Sequence, residues 1–368
     1  MKIKRIFKWG LLSILVILVV WFAIAYVTST NNCEQLGQTQ GDTMKAVVYC
    51  DYGTSEVLRV MDIAKPVPTD NQVLVRVRAS SVNPYDWHFI RGTPYIMRLG
   101  VGLRKPKDTR LGVDFAGTVE AVGKNVTEFK PGDEVWGGKG GAFAQYVVIA
   151  EKGLAKKPDN ISFEQAGSID IAGMTALQGL RQHGNVQPGQ KVLINGASGG
   201  VGTFAVQIAK ALGAHVTGVC SGRNVELVKS LGADEVIDYT KDDFAKRPER
   251  YDVFLDNVPN HSLADCRAVL TPNGKYIMIG GGGPNDGKWI GPLGRVLEMV
   301  IQKRFQKAPV TMMMAESNKT DLNFLSELIQ SGKVKPVIDK TYKLAELPAA
   351  IAYLEQGHAR GKVAITVD

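Results

Sequence analysis

The chain has 368 residues, 45% hydrophobic and 22% charged, which are ordinary values for a globular protein with core enough for more than one domain. Its net charge of +8 comes from 44 basic against 36 acidic residues, but the basic clusters 104–110 and 302–307 lack the aromatic interleaving of a nucleic-acid module. No nucleic-acid partner is expected, and those clusters read as solvated faces or as a surface toward acidic lipid. The four cysteines, at 33, 50, 220 and 266, are too far apart to suggest a disulfide framework.

Residues 1–43 differ in kind from the rest. After "MKIKRIFK", the run from Trp9 to Val27 carries no charge over about 19 residues, roughly 28 Å as a helix, near the thickness of a bilayer core. It predicts one transmembrane helix over 9–27, with Trp9, Trp21 and Tyr26 toward its ends. A cleaved signal peptide is the alternative, with "AIA" at Ala23–Ala25 as the cleavage site, although the apolar stretch is long for that role and continues past the site. The segment up to residue 43 reads as a polar linker.

The centre of the chain alternates strand and helix. Lys191–Ile194 reads as a buried strand, Asn195–Gly202 ("NGASGGVG") as a glycine loop, Thr203–Leu212 as a helix ended by Gly213, and His215 opens a second strand. Such a unit aims free backbone N–H groups and the positive end of a helix dipole at one point, which suits a pyrophosphate. The spacing of Gly196, Gly199 and Gly202 departs from G-x-G-x-x-G, so the flanking elements carry the assignment, with Gly199, Gly200, Val201 and Gly202 as the expected contacts. Further apolar runs at 232–239, 251–258 and 274–283, separated by helical stretches at 225–231 and 263–270, predict the doubly wound parallel sheet of a Rossmann domain.

The end of the second strand bears on the ligand. Cys220, Ser221, Gly222, Arg223 and Asn224 include no acid, and a carboxylate there would hold a ribose 2′-hydroxyl. Ser221 and Arg223 suit a 2′-phosphate, because a guanidinium binds it through two parallel hydrogen bonds. NADPH is the expected cofactor; the alternative is that Arg223 is a solvated residue at a helix start. More than 100 residues precede this domain and require a second one.

From Met44 onward the chain resembles the medium-chain dehydrogenase/reductase superfamily, and within it the zinc-free quinone oxidoreductase-like branch. The resemblance lies in eight segments in order: "MKAVVY" at Met44, "ASSVNPYDWHFIRG" at Ala79, "LGVDFAGTVEAVG" at Leu111, "FKPGDEVWG" at Phe129, "AFAQYV" at Ala142, "AGMTALQGL" at Ala172, "GASGGVG" at Gly196 and "GKVAITV" at Gly361. It implies an α/β chain with a GroES-like catalytic domain over 44–168 completed by 311–368, a Rossmann domain over 169–310, and a cofactor cleft between them, preceded by the membrane anchor and linker of 1–43. A homodimer is the family's habit.

The resemblance also bears on metal. Zinc alcohol dehydrogenases of the superfamily carry a cysteine where this chain has Asn83 and a Gly-His-Glu triplet where it has Gly112, Val113 and Asp114; they also often carry a four-cysteine lobe, which is missing between Trp136 and Phe143. The five histidines, at 88, 183, 215, 261 and 358, show no paired spacing, so no metal site is expected. Without a Lewis acid, hydride delivery to a quinone or enone is easier than carbonyl chemistry, because the acceptor spreads the incoming charge itself.

By resemblance, Asn83 lies beside the nicotinamide, and Tyr85 or His88 is the candidate proton donor. Their plainer readings are a core aromatic for Tyr85 and a packing histidine for His88, with Asp86 as a turn cap. The family further implies Thr175 at the nicotinamide amide, Tyr239 at the 2′-phosphate or else packed in its strand, Asn257 near the nicotinamide ribose, Gly280 and Gly281 under the ring, and Lys362 near the cleft. Two functions remain open: an NADPH-dependent quinone or enone reductase held at a membrane, or a nucleotide-sensing or structural membrane protein on the same fold without turnover. Lys2, Lys4, Arg5 and Lys8 favour a cytoplasmic N-terminus and a catalytic domain on the far side; cofactor supply favours the opposite, and a cytosolic catalytic domain is the expectation.

Overall fold

A computed structural model describes residues 16–17, 19–38, 41–280, 283, 287–291, 294–295, 297–299 and 310–368. Its first strands follow from period-2 sequence. β1 (Thr43–Tyr49) and β2 (Leu58–Ala64) pair antiparallel from Thr43 opposite Ala64 to Tyr49 opposite Leu58. Alternation sends Met44, Ala46 and Val48 into a small cluster with Ile63 and Ala144, and sends Val47 and Tyr49 into the main core of the first domain.

β3 (Gln72–Val82) leads into α1 (Pro84–Arg91), followed by β4 (Asp114–Val122), β5 (Glu134–Gly138), β6 (Tyr146–Ala150) and β7 (Leu154–Lys156). After α2 (Asp170–Gln178) come β8 (Lys191–Asn195), α3 (Gly200–Ala211), β9 (His215–Cys220), β10 (Glu235–Asp238), β11 (Tyr251–Asp256), β12 (Leu270–Ile279) and β13 (Val310–Met313). The chain closes with α4 (Lys319–Gln330), β14 (Ile338–Lys343) and β15 (Lys362–Thr366).

Two sheets carry the site. One has the order β14-β15-β3-β4-β5-β7, with β6 also pairing with β3; the other is wholly parallel in the order β10-β9-β8-β11-β12-β13. Counted from β8, the second order is 3-2-1-4-5-6, the Rossmann arrangement, whose switch point lies between β8 and β11. The apolar face of α3, with Phe204, Val206 and Ile208 fully buried, packs with Val192 and Ile194 of β8 in one core. The helix begins at Gly200, a turn earlier than its apolar spacing predicts, because the glycine turn packs too tightly for any side chain: a Cβ on Gly202 would stand 2.1 Å from the Gly196 carbonyl oxygen. The expected change of domain between residues 310 and 311 falls within β13, which pairs with β12 in the parallel sheet, so that sheet runs on to Met313.

The N-terminal segment differs from expectation in two respects. Residues 16, 17 and 19–27 are helical, and their apolar side chains, such as Trp21 and Phe22, are exposed. Among the described residues no helix is long and apolar enough to cross a membrane, and residues 9–15 and 18 of the expected 9–27 span lie outside them. The second difference is a correction. Cys33 and Cys50 form a disulfide, with Cα atoms 5.8 Å apart, while Cys220 and Cys266 are free and buried. The linker folds back as a short helix, Cys33–Leu36, beside the end of β1, a tertiary return that cysteine spacing does not encode.

Candidate active site

Strand direction brings three distant residues to one sheet end. β15 runs antiparallel to β3, and β3 antiparallel to β4, so the starts of β15 and β4 flank the end of β3. Those positions are Lys362, Asp114 and Asn83. The Lys362 ammonium donates to Asn83 Oδ1 (2.5 Å) and to Asp114 Oδ2 (3.0 Å), and Asn83 Nδ2 donates to Asp114 Oδ2 (3.0 Å). The carboxylate also accepts the Ser81 hydroxyl (2.6 Å) and the Ile171 backbone N–H (2.8 Å). All three residues are buried, Asp114 completely. A buried charge is tolerated only when it is paired and hydrogen-bonded; Asp114 is paired and accepts four hydrogen bonds, and Lys362 makes two.

Two further acids surround the network. Asp86, three residues past Asn83, accepts the Asn83 backbone N–H (2.7 Å) and the Gly112 N–H (3.2 Å), so it is the capping carboxylate of α1 that its plainer reading expects. Burial pushes its carboxyl up to about 7, with the Asp114 charge adding to the rise. Asp170, at the start of α2, accepts the Ser317 hydroxyl (3.0 Å) and is likewise raised to about 7, first by burial and then by Asp114. Space around it is tight: a Cβ on Gly138 would sit 1.9 Å from Asp170 Oδ2.

The network abuts the glycine loop. Gly361 bridges to Gly199 in parallel fashion and its N–H donates to the Ser198 carbonyl (2.9 Å), so the residue before Lys362 is stitched to the start of α3. The Lys362 stem crosses Gly200, where an added Cβ would meet Lys362 Cδ at 3.2 Å. Lys362, expected near the cleft, thus lies with its stem over the loop and its ammonium engaged by Asn83 and Asp114.

The other expected residues fall in three groups. Gly199 is the N-cap of α3, with Gly200, Val201 and Gly202 in its first turn, and Thr175 is buried in α2. Asn257 follows β11 and donates through Nδ2 to the Asn195 carbonyl (2.8 Å), while its Oδ1 is buried without a partner, as is Oδ1 of Asn224 beyond the end of β9. Buried orphan acceptors at the carboxyl ends of parallel strands, beside a glycine turn, fit the place a dinucleotide takes in this topology. Gly280 adopts φ +80° just after β12, as a backbone passing close beneath a ligand requires, and Gly281 lies outside the described residues.

At the far end of the loop, Asn224 Nδ2 donates to Ser221 Oγ (3.2 Å), Arg223 donates to the His358 carbonyl (3.0 Å), and Tyr239 is 59% exposed, so its ring is not strand packing. Sequence reasoning missed Asp238, which ends β10 beside this loop: a Cβ on Gly222 would lie 2.6 Å from its Oδ2. Its carboxylate accepts the Thr240 hydroxyl (2.7 Å), which holds its pKa below the ordinary value.

The candidate donors on α1 differ from one another. His88 Nδ1 donates to the Thr93 carbonyl (2.7 Å), and burial lowers the ring's pKa, so Nε2 is left as an acceptor. Tyr85 packs on Phe89 with centroids 4.2 Å apart and remains 41% exposed, and burial raises its phenol pKa, so it keeps its proton.

With this geometry in place, the chain can be compared with known proteins. Residues 69–159 match the alcohol dehydrogenase GroES-like domain, and residues 231–365 match a family described as zinc-binding dehydrogenase. The chain is 34% identical to the mouse (Mus musculus) NAD(P)H oxidoreductase RTN4IP1, mitochondrial, over 88% of this chain and 89% of that one. It belongs to the medium-chain dehydrogenase/reductase superfamily, in its quinone oxidoreductase-like branch. The Arabidopsis thaliana chloroplast envelope quinone oxidoreductase homolog is also 34% identical, over 88% of this chain and 99% of that one. Among solved structures, the CurK enoyl reductase superposes with a TM-score of 0.78 at 25% identity, covering 89% of this chain and all of that one.

Among the described residues no three His, Cys, Asp or Glu side chains are grouped to hold a metal ion. Where zinc-dependent members carry their cysteine and the glutamate of their Gly-His-Glu triplet, this chain has Asn83 and Asp114 with an ammonium bonded to both. That donor set does not fit zinc, which needs three or four converging ligands and not a cation.

Proposed function

We propose that the protein is an NADPH-dependent oxidoreductase that delivers hydride to a quinone or an α,β-unsaturated carbonyl without zinc. The observation that carries this reading is the Lys362–Asn83–Asp114 network docked on the glycine loop. It is a preorganised ion pair where zinc-dependent relatives keep their metal, and its amide is fixed in one orientation. The nicotinamide would supply the hydride. Gly199–Gly202 would hold the pyrophosphate, Asn257 the ribose, Thr175 and Gly280 the ring region, and Ser221, Arg223 and Tyr239 the 2′-phosphate.

The chain's own residues then have limited work to do. A quinone or enone disperses the added charge over its π system, so the site need only position it and offer a proton. Tyr85, half-exposed and protonated, is the better donor; His88 is the weaker, because its one N–H is spent on Thr93. Oxidation of NADPH against a panel of quinones and 2-alkenals tests the reading. No turnover with any acceptor, alongside intact NADPH binding, would favour the nucleotide-sensing or structural protein instead.

One observation supports a second cofactor reading. Asp238 lies beside the loop that would hold the ribose, and a carboxylate there suits the 2′-hydroxyl of NADH. Thr240 engages only Oδ1 while Oδ2 faces Gly222, so NADPH is favoured on Ser221 and Arg223, whose hydroxyl and guanidinium suit a 2′-phosphate.

The apolar run at 9–27 supports membrane attachment, and sedimentation in carbonate-washed membranes tests it. The Cys33–Cys50 disulfide weighs against the cytosolic placement expected from cofactor supply, because cytosolic thiols are kept reduced, and it agrees with the four N-terminal cations. Digestion of a C-terminal tag in sealed vesicles decides the side. A homodimer is proposed on the family's habit and is checked by sedimentation equilibrium.

A further inference from the structure

The exposed apolar segment and the most basic loop of the chain are strapped together. Ser29 Oγ accepts the Arg104 N–H (3.1 Å) and donates to the Lys105 carbonyl (3.4 Å), and the Thr109 hydroxyl donates to Asn32 Oδ1 (3.4 Å). Asn31 Nδ2 donates to the Cys50 carbonyl (2.7 Å), and the Cys33–Cys50 bond closes the strap. The helix ending at residue 27 therefore emerges within two residues of a loop that carries Arg104, Lys105, Lys107 and Arg110 against one acid, Asp108.

A cavity of about 480 Å³ lies under this strap, between the Cys33–Leu36 turn, the end of β2 and residues 107–110. Its walls divide by chemistry. Leu36, Ile63 and Ala64 form an apolar side, while Lys107, Arg110 and Gln35 supply donors. Lys107 gives one proton to the Gly100 carbonyl (3.1 Å) and keeps two. Asp108, also in the lining, accepts the Arg110 backbone N–H (3.1 Å), and its carboxylate makes no ion pair with the Arg110 guanidinium. A bare phosphate would leave most of this volume and all of the apolar wall unused.

We propose that the cavity seats the headgroup of an anionic phospholipid, its phosphate on Lys107 and Arg110 and its acyl stem along Leu36 and Ile63. An apolar helix in a bilayer would hold the strapped loop at headgroup depth, where cations favour acidic lipid. This goes beyond the anchor reading and rests on it only for how lipid reaches the cavity.

Native mass spectrometry of the full-length protein in neutral detergent tests it, with dihexanoyl phosphatidylglycerol, dihexanoyl phosphatidylcholine and inorganic phosphate as separate probes. One phosphatidylglycerol per chain should be retained, with at least tenfold preference over phosphatidylcholine. Lys107→Gln with Arg110→Gln should weaken it by roughly thirty-fold, about five-fold per cation. Arg110→Gln alone leaves the Lys107–Gly100 contact intact and should cost about five-fold, which guards against a folding defect in the double variant. Equal retention of both lipids, unchanged binding by the double variant, or phosphate binding as tightly as phosphatidylglycerol would each overturn the proposal. Retained phosphatidylglycerol in a protein that does not sediment with membranes would fail the anchor reading and leave this site standing.

Discussion

Replacing Lys362 by methionine removes the ammonium while keeping most of the stem that crosses Gly200. Two charge-assisted hydrogen bonds are lost, to Asn83 Oδ1 at 2.5 Å and to Asp114 Oδ2 at 3.0 Å, and an anion with no exposure is left without its counter-charge. Breaking one side of a buried pair costs about 3–5 kcal/mol. Three donors remain on Asp114, from Ser81, Asn83 and Ile171, which places the expected loss near the lower bound, at about 3 kcal/mol. The loss also acts on Asp86 and Asp170, whose carboxyls Lys362 holds down and which should rise further. Urea unfolding of Lys362→Met, Asp114→Asn and the double variant forms a cycle, and the double should be more stable than Lys362→Met because no orphan charge remains. A coupling energy below about 0.5 kcal/mol would show that the pair is not one buried network and would remove the observation on which the functional reading rests.

Three other outcomes follow from the same geometry. Arg223→Ala should weaken NADPH binding by about 1.5–3 kcal/mol with little change for NADH, read by fluorescence titration of both; equal losses would point to the contact with His358 alone. Purified protein should hold no stoichiometric zinc by elemental analysis, and chelators should leave turnover unchanged; one zinc per chain would overturn the ammonium-for-metal reading. Asp170 titrates near 7 when folded against an ordinary value of 3.8, so between those values the folded state binds the extra proton and stability falls as pH rises, by about 1.4 kcal/mol per unit. Asp170→Asn, which can still accept from Ser317, should flatten the decline between pH 5 and 7 by about 2 kcal/mol in urea unfolding; an unchanged slope would refute the assignment.

The fold was legible where physics is local. The glycine turn, its flanking strand and helix, and the run of apolar segments to 283 gave the Rossmann sheet, because backbone conformation and periodicity are written over a few residues. The network was legible only in pieces. Asn83 stood out by resemblance and Lys362 as a residue near a cleft, but they meet across 279 positions, and Asp114 joins Lys362 across 248. No spacing rule reaches that far; strand order supplies the contact. Asp86 was legible as a cap, since capping is also local, but its raised carboxyl depends on burial that the sequence does not display. Asp238 was not legible from the end of β9, because the neighbouring strand β10 supplies the acid opposite Cys220.

The bond between Cys33 and Cys50 also sets a length. Were residues 9–27 in a bilayer, the closed bond would fix the linker covalently to the first domain six steps of chain from the membrane, about 20 Å at full stretch. Were the thiols free and the strap released, the leash would run to Thr43, sixteen steps or about 55 Å. So short a leash would confine the anchored domains to a thin layer of water over the lipid, where encounters with molecules leaving the bilayer would be governed by a local concentration set by tether geometry and not by the bulk. In an anchored chain, oxidation of one pair of cysteines would then set how much of the surrounding volume the enzyme samples.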